Sequence, residues 1–369
     1  MQIAVIANMR LPTEKAHGYQ TMRVCLAWKQ LGHDVTLYVP KRPNHISEDV
    51  FSYYNLPHEF QIVEIKCFPW MQFVSVLGPF AFWLQSLAFL WALGRRTIPR
   101  DAVVFSRNPE VIRYFSKTHR TIWNAHTSAS SRAAQFLNGA KGIVCNSEGT
   151  ARAVASLGLP TVVARNGTDP NTFRGRDRDA LRKELGLPEG PLALYTGHLY
   201  RWKGVDTILS AALLFPDCTF VLVGGTPKDI ATYRSRIQER KLENVLLLGH
   251  KKQHTIPQYL VAANALLLPN IAETDESVNH TSPLKLFEYM ASGTPIVASD
   301  LPAIREVLSQ QNAYLVPAGD AAALANAVRE IRDDDHAARN RAQQALIEVD
   351  EYSWENQAKI AADFMQSLV

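Results

Sequence analysis

Short apolar runs alternate with amphipathic stretches along almost the whole chain, and that alternation admits few folds besides a parallel α/β architecture. Strands covered on both faces read as unbroken apolar runs, whereas half-solvated antiparallel strands alternate. Residues 2–7, 102–105, 121–124 and 142–146 are such runs, and Val35, Leu37 and Val39 make an alternating one before Pro40. A charged, breaker-rich stretch at 174–190 precedes a second set at 191–196, 219–223, 244–248, 265–268, 295–299 and 313–316. Two doubly wound domains in series, 1–170 and 171–351, are the economical expectation, and the 369-residue length agrees. The tail, 352–369, carries Trp354, Ile360 and Phe364 at amphipathic spacing and is expected to cross back as a helix onto the first domain.

One segment departs from the pattern. The 28 residues 67–94 carry no formal charge, and Arg95, Arg96 and Arg100 follow them. The apolar piece 79–94 has only 16 residues, short of the ~20 a spanning helix needs. The expectation is a partly exposed helix lying against an anionic membrane surface through 79–96, with a buried core helix as the competing reading. Residues 1–170 hold 18 Lys+Arg against 10 Asp+Glu, a basic half suited to an anionic partner. No dense Lys/Arg run with interleaved aromatics occurs, so nucleic acid is set aside. Four separated cysteines and an N-terminus without signal design point to a cytoplasmic protein, peripheral at most on the inner face of a membrane.

The chemistry gathers in two stretches. In 281–293, Ser282 suits an N-cap, Pro283 the first helical position and Gly293 the C′ position. Amides near Leu284 and Lys285 would form an anion site, and Lys285 in the first turn opposes the helix dipole unless an anion is bound. Glu288, one turn further in, is placed to accept hydrogen bonds from a diol. In 196–204, Gly197 permits close backbone approach beyond a strand, and Arg201 and Lys203 supply positive charge for a departing diphosphate. No acidic triplet stands out as a metal clamp, and no cofactor or metal is expected.

These stretches carry a resemblance. The Gly-His-Leu-Tyr-Arg-Trp-Lys-Gly loop at 197–204, Asn166-Gly167-Thr168-Asp169, the run from Ser282 to Ala291 and the terminal Tyr352-Ser353-Trp354-Glu355 resemble the retaining glycosyltransferases of family four, of GT-B fold. The resemblance implies two Rossmann-like domains facing a cleft, with a nucleotide-sugar donor held mainly by the second. It makes His198 and Lys203 the diphosphate-binding pair, His198 standing where many members have arginine and Arg201 compensating. It makes Glu288 the ribose-binding glutamate, and Ser282, Pro283 and Leu284 the diphosphate-binding helix start. Gly224, His250 and Lys251 would line the nucleoside pocket. From the first domain, Gly18 and Lys15 match a loop near diphosphate and acceptor, His126 matches the active-site histidine, and Arg107 would face the acceptor. His280 occupies the place of a first glutamate common in the family, which makes it a donor-specificity candidate.

The function expected is therefore transfer of a sugar from a nucleotide-sugar to a hydroxyl of a glycan or lipid-linked acceptor, with retention, in surface polysaccharide or glycolipid synthesis. His126, Lys203, Arg201 and Glu288 would carry it. Alternatives are a nucleotide-sugar 2-epimerase of the same fold, for which no acid–base cluster stands out, and a non-catalytic nucleotide-binding protein. A dinucleotide dehydrogenase is disfavoured because no GxGxxG follows the first strand.

Overall fold

Thirteen strands form two wholly parallel sheets in a computed structural model that describes residues 1–368. The first sheet comprises β1 (Gln2–Ile6), β2 (Asp34–Lys41), β3 (Gln61–Lys66), β4 (Val103–Ser106), β5 (Arg120–Ala125), β6 (Gly142–Cys145) and β7 (Thr161–Val163). Their order is β3-β2-β1-β4-β5-β6-β7. The chain winds outward from β1 to β3, then restarts at β4 on the other side of β1. The topological switch point therefore lies between β1 and β4, where the crevice beyond their carboxyl ends is the natural ligand site.

Strands β4 and β6, and β1 after Gln2, are buried throughout, which is why they read as apolar runs. The sequence reading missed β3 and β7, the two edges. In β3, Gln61, Glu64 and Lys66 stay exposed, so the apolar run is broken. Strand β2 also runs through Pro40 rather than stopping before it. The Ala7 N–H donates to the Tyr38 carbonyl, so the side of β2 that faces β1 passes Tyr38 and then Pro40. At Pro40 β1 has already ended, and the missing N–H costs no ladder bond.

The helix Phe80–Leu93 divides the apolar segment by face. Ala81, Gln85, Phe89 and Leu93, at four-residue spacing, are buried, and Phe89 and Leu93 join a core with Ala4, Ile6 and Val104. Phe82, Trp83 and Trp91 are 58%, 54% and 68% exposed. The segment is thus neither a wholly buried core helix nor a spanning one; no helix among the described residues is long and apolar enough to cross a membrane.

The second sheet comprises β8 (Leu192–Thr196), β9 (Thr219–Val223), β10 (Val245–Gly249), β11 (Ala265–Leu268), β12 (Ile296–Ser299) and β13 (Tyr314–Val316). Its order, β10-β9-β8-β11-β12-β13, puts the switch point between β8 and β11. Apolar cores cover both of its faces.

The chain divides into a unit of residues 1–165 with 354–369 and a unit of residues 166–353. The sequence reading placed the break after residue 170. Residues 166–168 belong to the second unit because Asn166 Nδ2 donates to the Ser282 carbonyl (2.6 Å), and the Thr168 N–H donates to the Tyr352 carbonyl (2.9 Å). The terminal helix Trp354–Ser367 is part of the first unit. It lies on the helix Ala16–Gln30, where Trp28 Nε1 donates to the Ala358 carbonyl at 2.9 Å and Tyr19 meets Trp354 edge-on.

Candidate functional site

In the second unit, the exits of β8 and β11 are drawn together by glycines. Gly204 ends the short turn Arg201–Lys203 at φ +76°, and a Cβ there would lie 1.7 Å from the Pro269 carbonyl oxygen beyond β11. Gly224, at φ +126°, packs on Gly197, whose carbonyl oxygen a Cβ would meet at 2.1 Å. No side chain fits either position. The ladder also continues past the strands, with Gly197 N–H donating to the Val223 carbonyl and Gly224 N–H to that of Gly249.

The helix Leu284–Ser292 runs up to this crevice. Its cap is Pro283, with ψ at 131°, and no side chain caps it. The sequence reading, with Ser282 as N-cap and Pro283 as the first helical residue, is displaced by one position. The Ser282 carbonyl is bound by Asn166, and Pro283 remains extended, so the first-turn amides face the crevice without a side-chain acceptor. Gly293 closes the helix at φ +65°, in the left-handed conformation expected.

Lys285 does not extend into solvent. Its Nζ donates to the Thr196 carbonyl at 3.1 Å and lies 3.7 Å from the centre of the Tyr195 ring. Burial, and then the charge of Lys203, hold its amine well below the ordinary lysine range, against the pull of Glu288. The Lys203 amine sits 3.6 Å from the centre of the Trp202 ring, and burial lowers its pKa to about 7 despite Glu276. Burial raises Glu288 to about 7, opposed by the Gln253 amide, which donates to its Oε1 at 2.5 Å, and by Lys285. Two amines and one carboxyl, all strained toward neutrality, thus share one crevice with uncapped helix amides. That arrangement gains most from an anion that restores charge to both amines.

Other expected residues sit nearby in different circumstances. His198 stacks on Tyr200, rings 4.9 Å apart and 6° from parallel, and its carbonyl accepts from Tyr195 Oη. Arg201 is exposed and ion-paired with Glu273 at 3.2 Å, so it does not join Lys203 in the crevice. His280 is buried at the end of a π-turn, Glu276–His280, with Nε2 2.8 Å from Asp275. His250 is exposed beyond β10, and the Lys251 amine lies 5.9 Å from the Tyr259 ring centre. Sequence reasoning passed over Tyr289, whose hydroxyl accepts from the Thr196 N–H at 2.9 Å and so ties the helix to β8. Asn270, just beyond β11, has a fully buried side chain with neither polar atom bonded among the described residues. Only the tertiary fold brings such residues to the crevice.

The first unit has its own crevice, a cavity of about 240 Å³ at the β1–β4 switch point, with Asn8, His17, Arg107 and Asn124 in its wall. Burial lowers the pKa of Arg107 to about 10. His126 follows β5; burial, then Arg107 and His17, hold its imidazole well below the ordinary histidine range, so it is neutral at pH 7. Its Nε2 is buried without a partner among the described residues. Lys15 is exposed where the helix Ala16–Gln30 begins. Gly18 was expected to admit a ligand, but a Cβ there would meet Tyr54 Oη at 2.3 Å and Thr13 Cγ2 at 2.4 Å. The close approach that requires glycine is internal packing.

Comparison with known proteins brings both units under one heading. Residues 18–172 match the family model "Glycosyltransferase Family 4", and residues 190–334 match "Glycosyl transferases group 1". The amylovoran biosynthesis glycosyltransferase AmsK of Erwinia amylovora is 32% identical over 168 residues, 44% of this chain and 40% of that protein. A D-inositol 3-phosphate glycosyltransferase of Corynebacterium urealyticum is 27% identical over 212 residues, 54% of this chain and 48% of that one. The chain thus spans about half the length of the curated relatives it matches. Among solved structures, Anabaena Alr3699/HepE in complex with UDP superimposes over 100% of both chains with a TM-score of 0.75 at 18% identity, a likeness of fold.

Proposed function

The chain belongs to the group 1 glycosyltransferases, and from that premise we propose that it moves a sugar from a nucleotide-sugar donor to a hydroxyl of a glycan or lipid-linked acceptor, with retention of configuration. The observation that carries this reading is the grouping of Lys203, Lys285 and the uncapped start of Leu284–Ser292 at the β8–β11 switch point. A diphosphate there would receive charge-assisted bonds in a place that is costly to leave empty of charge. Glu288, one turn along the same helix, suits the ribose diol, and Gly224 keeps side chains clear of the adjoining β9 exit. The same amines and amides are sufficient to hold the charge of the leaving diphosphate, so the proposed transfer needs no metal. His126, neutral and with an open Nε2, is the proposed partner for a hydroxyl of the transferred sugar.

The complex named for UDP supports testing UDP first. The experiment is a thermal-shift and calorimetric screen against UDP, GDP and ADP, followed by product analysis with the matching sugar nucleotides. Release of nucleoside diphosphate together with a glycoside, unaffected by EDTA, is expected. An isomerised donor means an epimerase instead, and no binding of any nucleotide overturns the reading.

The proposal extends to a membrane partner. Phe80, Phe82, Trp83, Leu87 and Trp91 form an exposed apolar face, and Arg95, Arg96 and Arg100 are exposed beside it. Such a face suits the headgroup boundary of an anionic bilayer, where a lipid-linked acceptor would reside.

A further inference from the structure

The first unit holds a half-buried cation that the proposed chemistry leaves unexplained. Arg107 stands just past β4, in the wall of the cavity at the β1–β4 switch point. Among the described residues its guanidinium makes no ion pair or hydrogen bond, and no residue lining the cavity is Asp or Glu. The nearest acid along the chain, Glu110, is engaged by two neutral donors, Ser86 Oγ at 3.0 Å and Asn108 Nδ2 at 3.2 Å. Burial alone shifts the titration of Arg107, with no carboxylate opposing it.

A second, half-buried guanidinium reinforces the sign. Arg42 hydrogen-bonds the carbonyl and side-chain oxygens of Asn8, another wall residue, and its Nε is buried without a partner. Arg10, whose charge acts on Arg42, is already paired with Glu14. An arginine that lines a cavity without a counter-charge is partly desolvated at a cost, and an anionic ligand there would supply the missing charge. The rest of the wall is polar, from His17, Thr21, Asn108 and Asn124, with no acid among them, over an apolar floor that includes Phe105 and Trp28. A volume of about 240 Å³ admits one sugar-sized group and no more.

We infer that this cavity is a subsite for a sugar-sized oxyanion, with Arg107 as its counter-charge, so that the acceptor carries a carboxylate or a phosphate on the residue bound in the first unit. The inference rests on the reading of the first unit as the acceptor side, and deepens it by giving the acceptor a charge. A planar guanidinium binds either oxyanion through two parallel bonds, and the asparagines and Thr21 would take sugar hydroxyls.

The test is calorimetry on the full chain without donor, using glucuronate and glucose 6-phosphate as two anionic arms, and inorganic phosphate and glucose as fragments. One or both anionic sugars are expected to bind, at least about tenfold tighter than glucose. The arm that binds identifies the oxyanion. Arg107→Gln should lose that preference while its affinity for UDP is unchanged. Arg107→Lys keeps the charge but not the fork, and should retain part of the preference; it decides the matter if the glutamine variant is poorly folded. Equal binding of glucose and both anionic sugars, or an undiminished preference in Arg107→Gln, overturns the inference. Competition between UDP and the anionic sugar overturns it too, because the oxyanion would then occupy a nucleotide site. If UDP fails to bind while the Arg107-dependent preference remains, the glycosyltransferase reading fails and the anion subsite stands.

Discussion

In its proposed role, Lys203 would serve a ligand at the expense of the empty protein. Its folded pKa of about 7 lies far below the unfolded lysine value, so the folded state binds fewer protons between pH 7 and 10.5. The penalty is therefore complete below pH 7 and is relieved as pH rises through that window. A bound diphosphate reverses the shift, so its binding should take up protons near pH 8, and its affinity should fall as pH rises above 7. Calorimetry in buffers of different ionisation enthalpy checks this. Lys203→Met should lose the proton uptake, bind nucleoside diphosphate at least about tenfold more weakly, and melt no lower than wild type when empty. His126 is the opposite case, its imidazole held by burial well below the ordinary histidine range and so untitrated near pH 7. For His126→Ala the expectation is a large fall in turnover with unchanged affinity for the bare nucleoside diphosphate, because the residue is assigned to the sugar. Wild-type turnover would return His126 to a merely structural place.

The helix Phe80–Leu93 belongs to the scale of elements, because its two faces make different predictions. Phe89 is fully buried, and Phe89→Ala should cost about 3–5 kcal/mol by denaturant titration. Phe82 and Trp83 are more than half exposed, so the double change to glutamate should leave the fold intact. If the exposed face lies on a bilayer, wild type co-sediments with anionic vesicles at low salt and is released at high salt. The double variant should stay in the supernatant while remaining folded. Arg95, stacked 3.1 Å from the centre of the Trp91 ring, would sit at the headgroups, where each arginine contributes about 1 kcal/mol. Wild type remaining in the supernatant at low salt would remove the membrane from the proposal.

At the scale of the molecule, the two units differ in how they are built from the chain. Residues 166–353 form a continuous unit with their own cores, whereas the first unit is completed only by residues 354–369. Trp354, Ala358, Ala361, Ala362 and Met365 are buried, and Gly142 at the start of β6 is packed against Phe364. Truncation after residue 353 removes that cover and leaves the Trp28 ring N–H without its acceptor, a loss on the order of 5 kcal/mol. That is much of a domain's stability. A fragment of residues 166–353 should unfold cooperatively by circular dichroism, and a fragment of residues 1–165 should not.

Local pattern alone determined the buried strands, the closing Gly293 and the presence of two parallel units, because apolar runs and left-handed positions are written residue by residue. The edge strands β3 and β7 escaped it, since a strand with one free side need not be apolar throughout. Long-range packing decided the rest. Nothing within 281–293 reveals that Asn166 takes the Ser282 carbonyl, that Lys285 turns back to Thr196, or that Arg201 pairs with Glu273 and leaves Lys203 to the crevice. Gly18 reads in sequence like a glycine kept for a ligand; the fold fills its space with Tyr54 and Thr13. A sequence reports which side chains are charged, apolar or small. Which of them lose water together, and so shift one another's charge, depends on the sheet order that brings β8 beside β11 and β1 beside β4.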